Sequence, residues 1–209
     1  MKILSIKSLA LPEIRVIKFA RFLDQRGYFC EPFRESDLLN SGQVDFLKGQ
    51  KLVQQNENFS KANVARGLHF QWNPYMGKLV RTVKGRMVDM AMDIRKGSPN
   101  FGKIILYDMP INEAKDYNEW IWLPPGFAHG NFFVEETIIE YFCSGEYNPV
   151  NEAGISFLST DLDWSLCDVN LKNLFDETIR KAGIISEKDK QNLTLKQWES
   201  DPRSENFKY

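Results

Sequence analysis

Apolar and polar residues alternate with a period of two through much of the chain. The clearest case runs from residue 87 to 94, where Val88, Met90, Met92 and Ile94 fall on one side and Met87, Asp89, Ala91 and Asp93 on the other. A helix does not produce that pattern, and Lys84-Gly85 supplies the turn before it. Similar runs predict strands over residues 12–20, 103–109, 119–123, 130–134 and 137–143. Turn chemistry separates them at Gly97-Ser98-Pro99-Asn100, Pro124-Pro125-Gly126 and Glu135-Glu136. About seven or eight short strands at such spacing predict a mainly β fold, an antiparallel barrel or jelly roll whose interior suits one small ligand. Residues 53–60 (Val-Gln-Gln-Asn-Glu-Asn-Phe-Ser) are crowded with amide side chains that are costly to bury, and composition favours a polar loop there.

Other segments read differently. Residues 35–40 suggest a short helix. Leu171 to Ala182 has helical spacing, and Ser186 to Trp198 reads as a second helix opened by Ser186-Glu187-Lys188-Asp189, a Ser-x-x-acid capping pattern. Pro202 to Tyr209 reads as a polar, mobile tail. With no repeat, low-complexity tract or linker, residues 1–209 are expected to form one domain, with a β core over about 12–165 and a helical extension over about 170–200.

Composition narrows the classes. Lys plus Arg (27) nearly balances Asp plus Glu (28), so no global positive field exists to hold a long nucleic acid, although a local cluster can still bind a small anion. Cys30, Cys143 and Cys167 are scattered and form no CxxC pair, which fits a reducing compartment. Lys7 interrupts the first apolar residues before a signal-length run develops, and no segment approaches membrane-spanning length, so the expected location is the cytoplasm.

Candidate chemistry concentrates in Arg66-Gly67-Leu68-His69-Phe70-Gln71 and, shortly after, Gly77-Lys78-Leu79-Val80-Arg81. On a regular strand Arg66 and Leu68 share one face and Gly67 and His69 the other, while Lys78 opens the next strand and can return beside His69. The only two histidines, His69 and His129, belong to no HxH or HxxxH pair, so the ligand inventory argues against a metal site. No GxGxxG, P-loop or GxSxG motif is present. Histidine, lysine, arginine, tyrosine and carboxylates in a metal-free pocket suit proton abstraction beside a carbonyl. That reaction takes a base on one face, a cation at the developing enolate oxygen and, for inversion, an acid on the opposite face.

These runs, with Gln54-Gln55-Asn56, Asp93-Ile94-Arg95-Lys96-Gly97-Ser98-Pro99 and Pro125-Gly126-Phe127-Ala128-His129-Gly130, resemble in order and approximate spacing the dTDP-4-dehydrorhamnose 3,5-epimerase family of nucleotide-sugar epimerases, with the His69–Lys78 and His129–Tyr141 segments each one residue shorter than is usual there. The resemblance covers residues 24–155, and the family's Ser-x-Lys-Asp element is matched at Ser186 to Asp189. It implies a cupin-type antiparallel jelly roll with short C-terminal helices, no cofactor, and a homodimer with exchanged N-terminal strands. The activity it implies is inversion of C3, C5 or both in a nucleotide-linked 4-keto-6-deoxy sugar. A keto-isomerase on the same kind of sugar, or a non-catalytic cupin that binds one, would share most of these residues.

Carried over residue by residue, the resemblance makes His69 the base, oriented by Asp189, Tyr141 the acid on the opposite face, and Lys78 the enolate cation. Asp189 also fits the capping role at the start of its helix. Arg66, Gln54, Gln55, Asn56, His129, Glu152 and Lys188 would line the sugar and diphosphate site. Arg26 and Glu31 would lie on the exchanged edge and reach the partner's pocket. The position where the family commonly stacks an aromatic on the base is read as Glu146, with Tyr147 beside it as the residue able to take over the stacking.

Overall fold

A computed structural model describes residues 1–40, 42–181 and 183–209. Two antiparallel sheets face one another as a jelly roll. The larger has the order β1 (Ile3–Ser8), β2 (Arg15–Asp24), β9 (Tyr117–Leu123), β6 (Lys78–Lys84), β11 (Thr137–Cys143) and β4 (Gln54–Ser60), with β3 (Gly27–Cys30) paired to the far half of β2. The smaller has the order β12 (Glu152–Gly154), β5 (Ala65–Gln71), β10 (Phe127–Phe133), β7 (Arg86–Asp93) and β8 (Ile104–Pro110). The mainly β jelly roll implied by the strand spacing is therefore the fold.

Three apolar layers hold it together. Between the sheets, Val16, Val80, Ile121 and Ile139 meet Met87, Ala91, Ile105 and Phe133. Behind the smaller sheet, Leu68, Phe70, Val88, Met90, Met92 and Phe132 pack on Phe157, Phe175, Trp198 and Phe207. Behind the larger sheet, Ile17, Phe19, Leu79, Trp120 and Trp122 are covered by Leu38, Val44 and Leu47. Strand β7 is thus buried on both faces, which is why both of its alternating sets are largely apolar.

Several boundaries differ from the sequence reading. Strand β2 begins at Arg15 and runs on to Asp24, and β1 precedes it. Residues 54–60 form the edge strand β4 where composition favoured a loop. Their alternation is entirely polar on one face because that face lines a cleft and not the core, so Gln54, Asn56 and Asn58 find hydrogen-bonding partners or solvent. The expected short helix over 35–40 is α1 (Glu35–Leu38), and the expected helix 171–182 is α2 (Val169–Arg180), whose N-terminus is capped by Asp168 accepting from the backbone of Asn170 and Leu171. Its expected last residue, Ala182, lies outside the described residues.

The expected helix 186–198 is two helices, α3 (Glu187–Lys190) and α4 (Leu195–Ser200), broken where Leu193 pairs with the Gly154–Ser156 backbone. Thr194 and Gln197 restart it with a reciprocal capping box. Nor is the C-terminus a free polar tail: Phe207 is buried against Phe70 and Trp198, and the backbone of Lys96 hydrogen-bonds with Phe207 and Tyr209. Among the described residues no helix is long and apolar enough to cross a membrane.

Candidate active site

The site is built around the pairing of β5 with β10. His69 and His129 are cross-strand partners, but the next matched pair is Asn131 with Arg66, so three steps on β5 oppose two on β10. Such a bulge requires an unusual backbone, and Gly67 supplies it at φ +112°. A Cβ on Gly67 would lie 2.5 Å from Gly130 Cα, and one on Gly130 would lie 2.5 Å from Arg66 O, so both positions exclude side chains. The bulge overturns the simple alternation of the sequence reading: Arg66 and His69 line the same cavity, while Leu68 and Phe70 remain in the layer behind the sheet.

The cavity has two lobes, of about 240 Å³ and about 410 Å³, which share His69, Lys78 and Tyr141. His69 stands on the smaller sheet and Tyr141 on the larger, so they address opposite faces of anything held between them. Lys78, on β6 beside β11, lies at the junction of the lobes.

Helix α3 delivers Asp189 to this point. Ser186 caps the helix by accepting from Asp189 N at 3.1 Å, and the Asp189 carboxylate reaches across to His69 Nε2 at 2.6 Å. The cap is thus made by the Ser186 side chain, while the Asp189 side chain, weighed as a capping group, is turned to His69. The Asp189 side chain is 6% exposed and His69 25% exposed, leaving the ring accessible and its anchor enclosed. Burial raises the Asp189 carboxyl, but its contacts with His69 and Ser186 outweigh this and hold it below its ordinary value.

A second histidine–aspartate pair lies deeper. His129 Nε2 is 2.7 Å from Asp89 Oδ2, and both side chains are buried. Burial pushes the Asp89 carboxyl up and the His129 imidazolium down, against the attraction between them. Asp89 was absent from the sequence-derived candidates. The signal was available, since it is a carboxylate in the inward-facing series Met87, Asp89, Ala91.

The Lys78 ammonium is pushed below its ordinary value by burial, with Cys143, Glu152 and Asp89 acting in the opposite sense. Burial pushes the Tyr141 phenol up, opposed by Asn56 and Arg66, so it carries its proton at neutral pH and can donate it. In the larger lobe Glu152 accepts from Lys188 Nζ at 2.6 Å and from Tyr147 Oη at 3.0 Å. Gln54 accepts from Tyr147 N at 2.9 Å and donates to Asn56 at 3.0 Å.

A family model described as dTDP-4-dehydrorhamnose 3,5-epimerase matches residues 8–197. The chain belongs to this family. Among relatives, the dTDP-4-dehydrorhamnose 3,5-epimerase of Methanothermobacter thermautotrophicus is 34% identical over 180 residues, 84% of this chain and 86% of that one. The Sulfolobus tokodaii enzyme of the same description superposes with TM-score 0.71 at 34% identity, over 94% of this chain and 97% of that one. The Legionella pneumophila dTDP-6-deoxy-D-glucose-3,5-epimerase, solved with dTDP-4-keto-L-rhamnose, superposes with TM-score 0.75 at 27% identity over 98% of both chains.

Within this epimerase the fold gathers His69, Asp189, Lys78, Tyr141, Arg66, His129, Gln54, Asn56, Tyr147, Glu152 and Lys188 around one cleft. Four other candidates lie elsewhere in the chain. Gln55 projects from the opposite face of β4, exposed, and donates to Glu140 at 3.4 Å, because neighbours on a strand alternate. The Glu146 side chain is exposed outside the cleft, and its neighbour Tyr147 lines the larger lobe in its place. Arg26, at the tip of the β2–β3 hairpin, pairs with Asp24 at 2.7 Å, and Glu31 pairs with Arg34 at 2.7 Å and with the N-terminal ammonium at 2.6 Å.

Proposed function

We propose that the protein epimerises a nucleotide-linked 4-keto-6-deoxy sugar at C3, C5 or both, by removing a proton beside the ketone and returning one to the opposite face. The observation that carries this reading is the opposition of the His69–Asp189 pair on one sheet to Tyr141 on the other, with Lys78 between them. Asp189 holds one ring nitrogen of His69, leaving the other to take the proton. Lys78 faces the enolate oxygen, where an ammonium short of solvent is worth most as negative charge develops. Tyr141 then supplies the proton from the far side. The experiment is incubation with a dTDP-linked 4-keto-6-deoxy sugar in deuterium oxide. Wash-in next to the ketone together with an epimeric product supports the reading, a protein that only binds gives no wash-in, and a shifted ketone identifies an isomerase.

The nucleotide belongs in the larger lobe, with Tyr147 as the stacking face. Tyr147→Ala is expected to weaken dTDP binding by about tenfold or more, given roughly 1–3 kcal/mol for an aromatic stacked on a base. Calorimetric titration with dTDP checks this, and unchanged affinity removes Tyr147 from the role.

The working form is a homodimer in which the β2–β3 hairpins are exchanged. In the protomer this hairpin exposes Phe22, Leu23, Tyr28 and Phe29, the last 68% accessible, while β4 borders the cleft as an edge strand. Docking the hairpin beside the partner's β4 covers both and carries Arg26 to the partner's cleft. Phe29→Asp is expected to weaken the dimer by at least about tenfold, since each buried phenylalanine is worth roughly 1.5–3 kcal/mol. Light scattering across a dilution series tests this. Mixing Arg26→Ala with His69→Asn subunits should restore activity through the one intact site of each mixed dimer, and no recovery would place Arg26 outside the partner's site.

A further inference from the structure

The smaller lobe contains hydrogen-bonding groups that the mechanism leaves unused. Asn131 sits on β10 two residues beyond His129 and lines the lobe, with its residue only 5% exposed. Its Oδ1 is buried and has no hydrogen-bond partner among the described residues. Its register partner on β7 is Asp89, whose Oδ1 is likewise buried and unpartnered. The Asn131 side chain also carries an NH2, and turning the amide over presents Nδ2 to Asp89 Oδ1 and leaves the carbonyl oxygen as the acceptor facing the lobe; a buried acceptor left unmade costs about 1–3 kcal/mol.

Donors in the same lobe are arranged by a relay. Arg66 Nε donates to Ser60 Oγ at 3.1 Å, and Ser60 Oγ donates to Asn58 Oδ1 at 2.9 Å. With its carbonyl oxygen engaged by Ser60, Asn58 has its amide nitrogen free to donate. Arg66 has no carboxylate partner among the described residues. The lobe therefore offers the Asn131 amide on the β10 side and donors from β4 and β5, close to the sugar face that His69 addresses. A sugar hydroxyl, which donates one hydrogen bond and accepts others, matches both sides at once.

We propose that Asn131 is a specificity-determining residue that accepts a hydrogen bond from a ring hydroxyl of the substrate beside the reacting carbons, so that the enzyme selects sugars retaining that hydroxyl over their deoxy counterparts. This rests on the proposed epimerase reading and adds to it which sugars are accepted. A site whose buried polar groups are matched to a hydroxyl discriminates strongly against the analogue lacking it, because the groups are then stranded.

The test compares kcat/KM for the parent dTDP-4-keto-6-deoxy sugar and its 2-deoxy and 3-deoxy analogues, by solvent-deuterium wash-in, in the wild type, Asn131→Leu and Asn131→Ser. The wild type is expected to disfavour one deoxy analogue by about 10- to 100-fold, the size of one unmade buried hydrogen bond. Asn131→Leu should bring that ratio close to one, and Asn131→Ser, which keeps an uncharged acceptor, should retain a preference. Because the readout is a ratio within one protein, loss of folded protein does not mimic the effect, and calorimetry with dTDP confirms that each variant is folded. If Asn131→Leu slows all three substrates equally, the amide serves only to hold Asp89 and the proposal is overturned. A wild type that is active on all three without preference also overturns it, leaving the epimerase reading intact. A wild type that exchanges no deuterium with any of them overturns the epimerase reading and this proposal with it.

Discussion

His69→Asn is expected to lower solvent-deuterium wash-in on a 4-keto nucleotide sugar by about 10²–10⁴, the range contributed by a placed proton-transfer group, while dTDP affinity stays within a few fold. The expectation follows from where the residue sits. Its ring is the accessible member of the pair, one nitrogen being taken by Asp189 at 2.6 Å. The proposed binding groups Tyr147 and Gln54 lie in the larger lobe, away from the Asp189 contact. Asparagine keeps a polar group of similar reach toward Asp189 but has no basic nitrogen. Loss of kcat with little change in affinity would mark an interaction made in the transition state. Normal wash-in by the variant would remove His69 from the role of base, and collapse of both wash-in and dTDP binding would mean that it mainly supports the architecture of the cleft.

Tyr141→Phe separates the two halves of the reaction. The substitution keeps the ring and its packing beside Ile139 and Cys143 on β11 but deletes the phenolic donor. Proton removal by His69 should survive, and the enolate should be reprotonated from the same side, so deuterium enters with retained configuration. Epimer formation is expected to fall by about 10²–10³, within the range for a positioned acid. NMR of the recovered sugar measures exchange and inversion in one sample. Equal loss of both would assign Tyr141 to enolate stabilisation or binding, and undiminished inversion would show that another donor reaches that face.

The elements most readily read from the chain are those that a local pattern fully describes. The strands around residues 87–94 and 137–143 alternate cleanly because one set of side chains meets the space between the sheets and the other meets a covering layer or solvent. Ser186 was recognisable as a cap because a cap is satisfied within a few residues of itself. Strand β4 was not recognisable as a strand: its inward face lines a cleft, so the hydrophobic signal that marks a strand is missing where function replaces packing. Gln55 was included beside Gln54 and Asn56 through the resemblance, and only the pleat of β4 shows that it turns away.

What the sequence by itself determined is the periodicity, the turns and the inventory of chemistry, because each depends on neighbours along the chain. The pairing of sheets, and with it the site, was decided only by tertiary structure. His69 and Asp189 are 120 residues apart and meet because α3 docks against β5. Asp89 becomes the partner of His129 through the β7–β10 register, 40 residues away. Arg66 joins His69 on one wall because a bulge at Gly67 breaks an alternation that the sequence alone implies is regular. Such contacts depend on register and on the close approach of two glycine backbones, and no window of local sequence contains the distance between them.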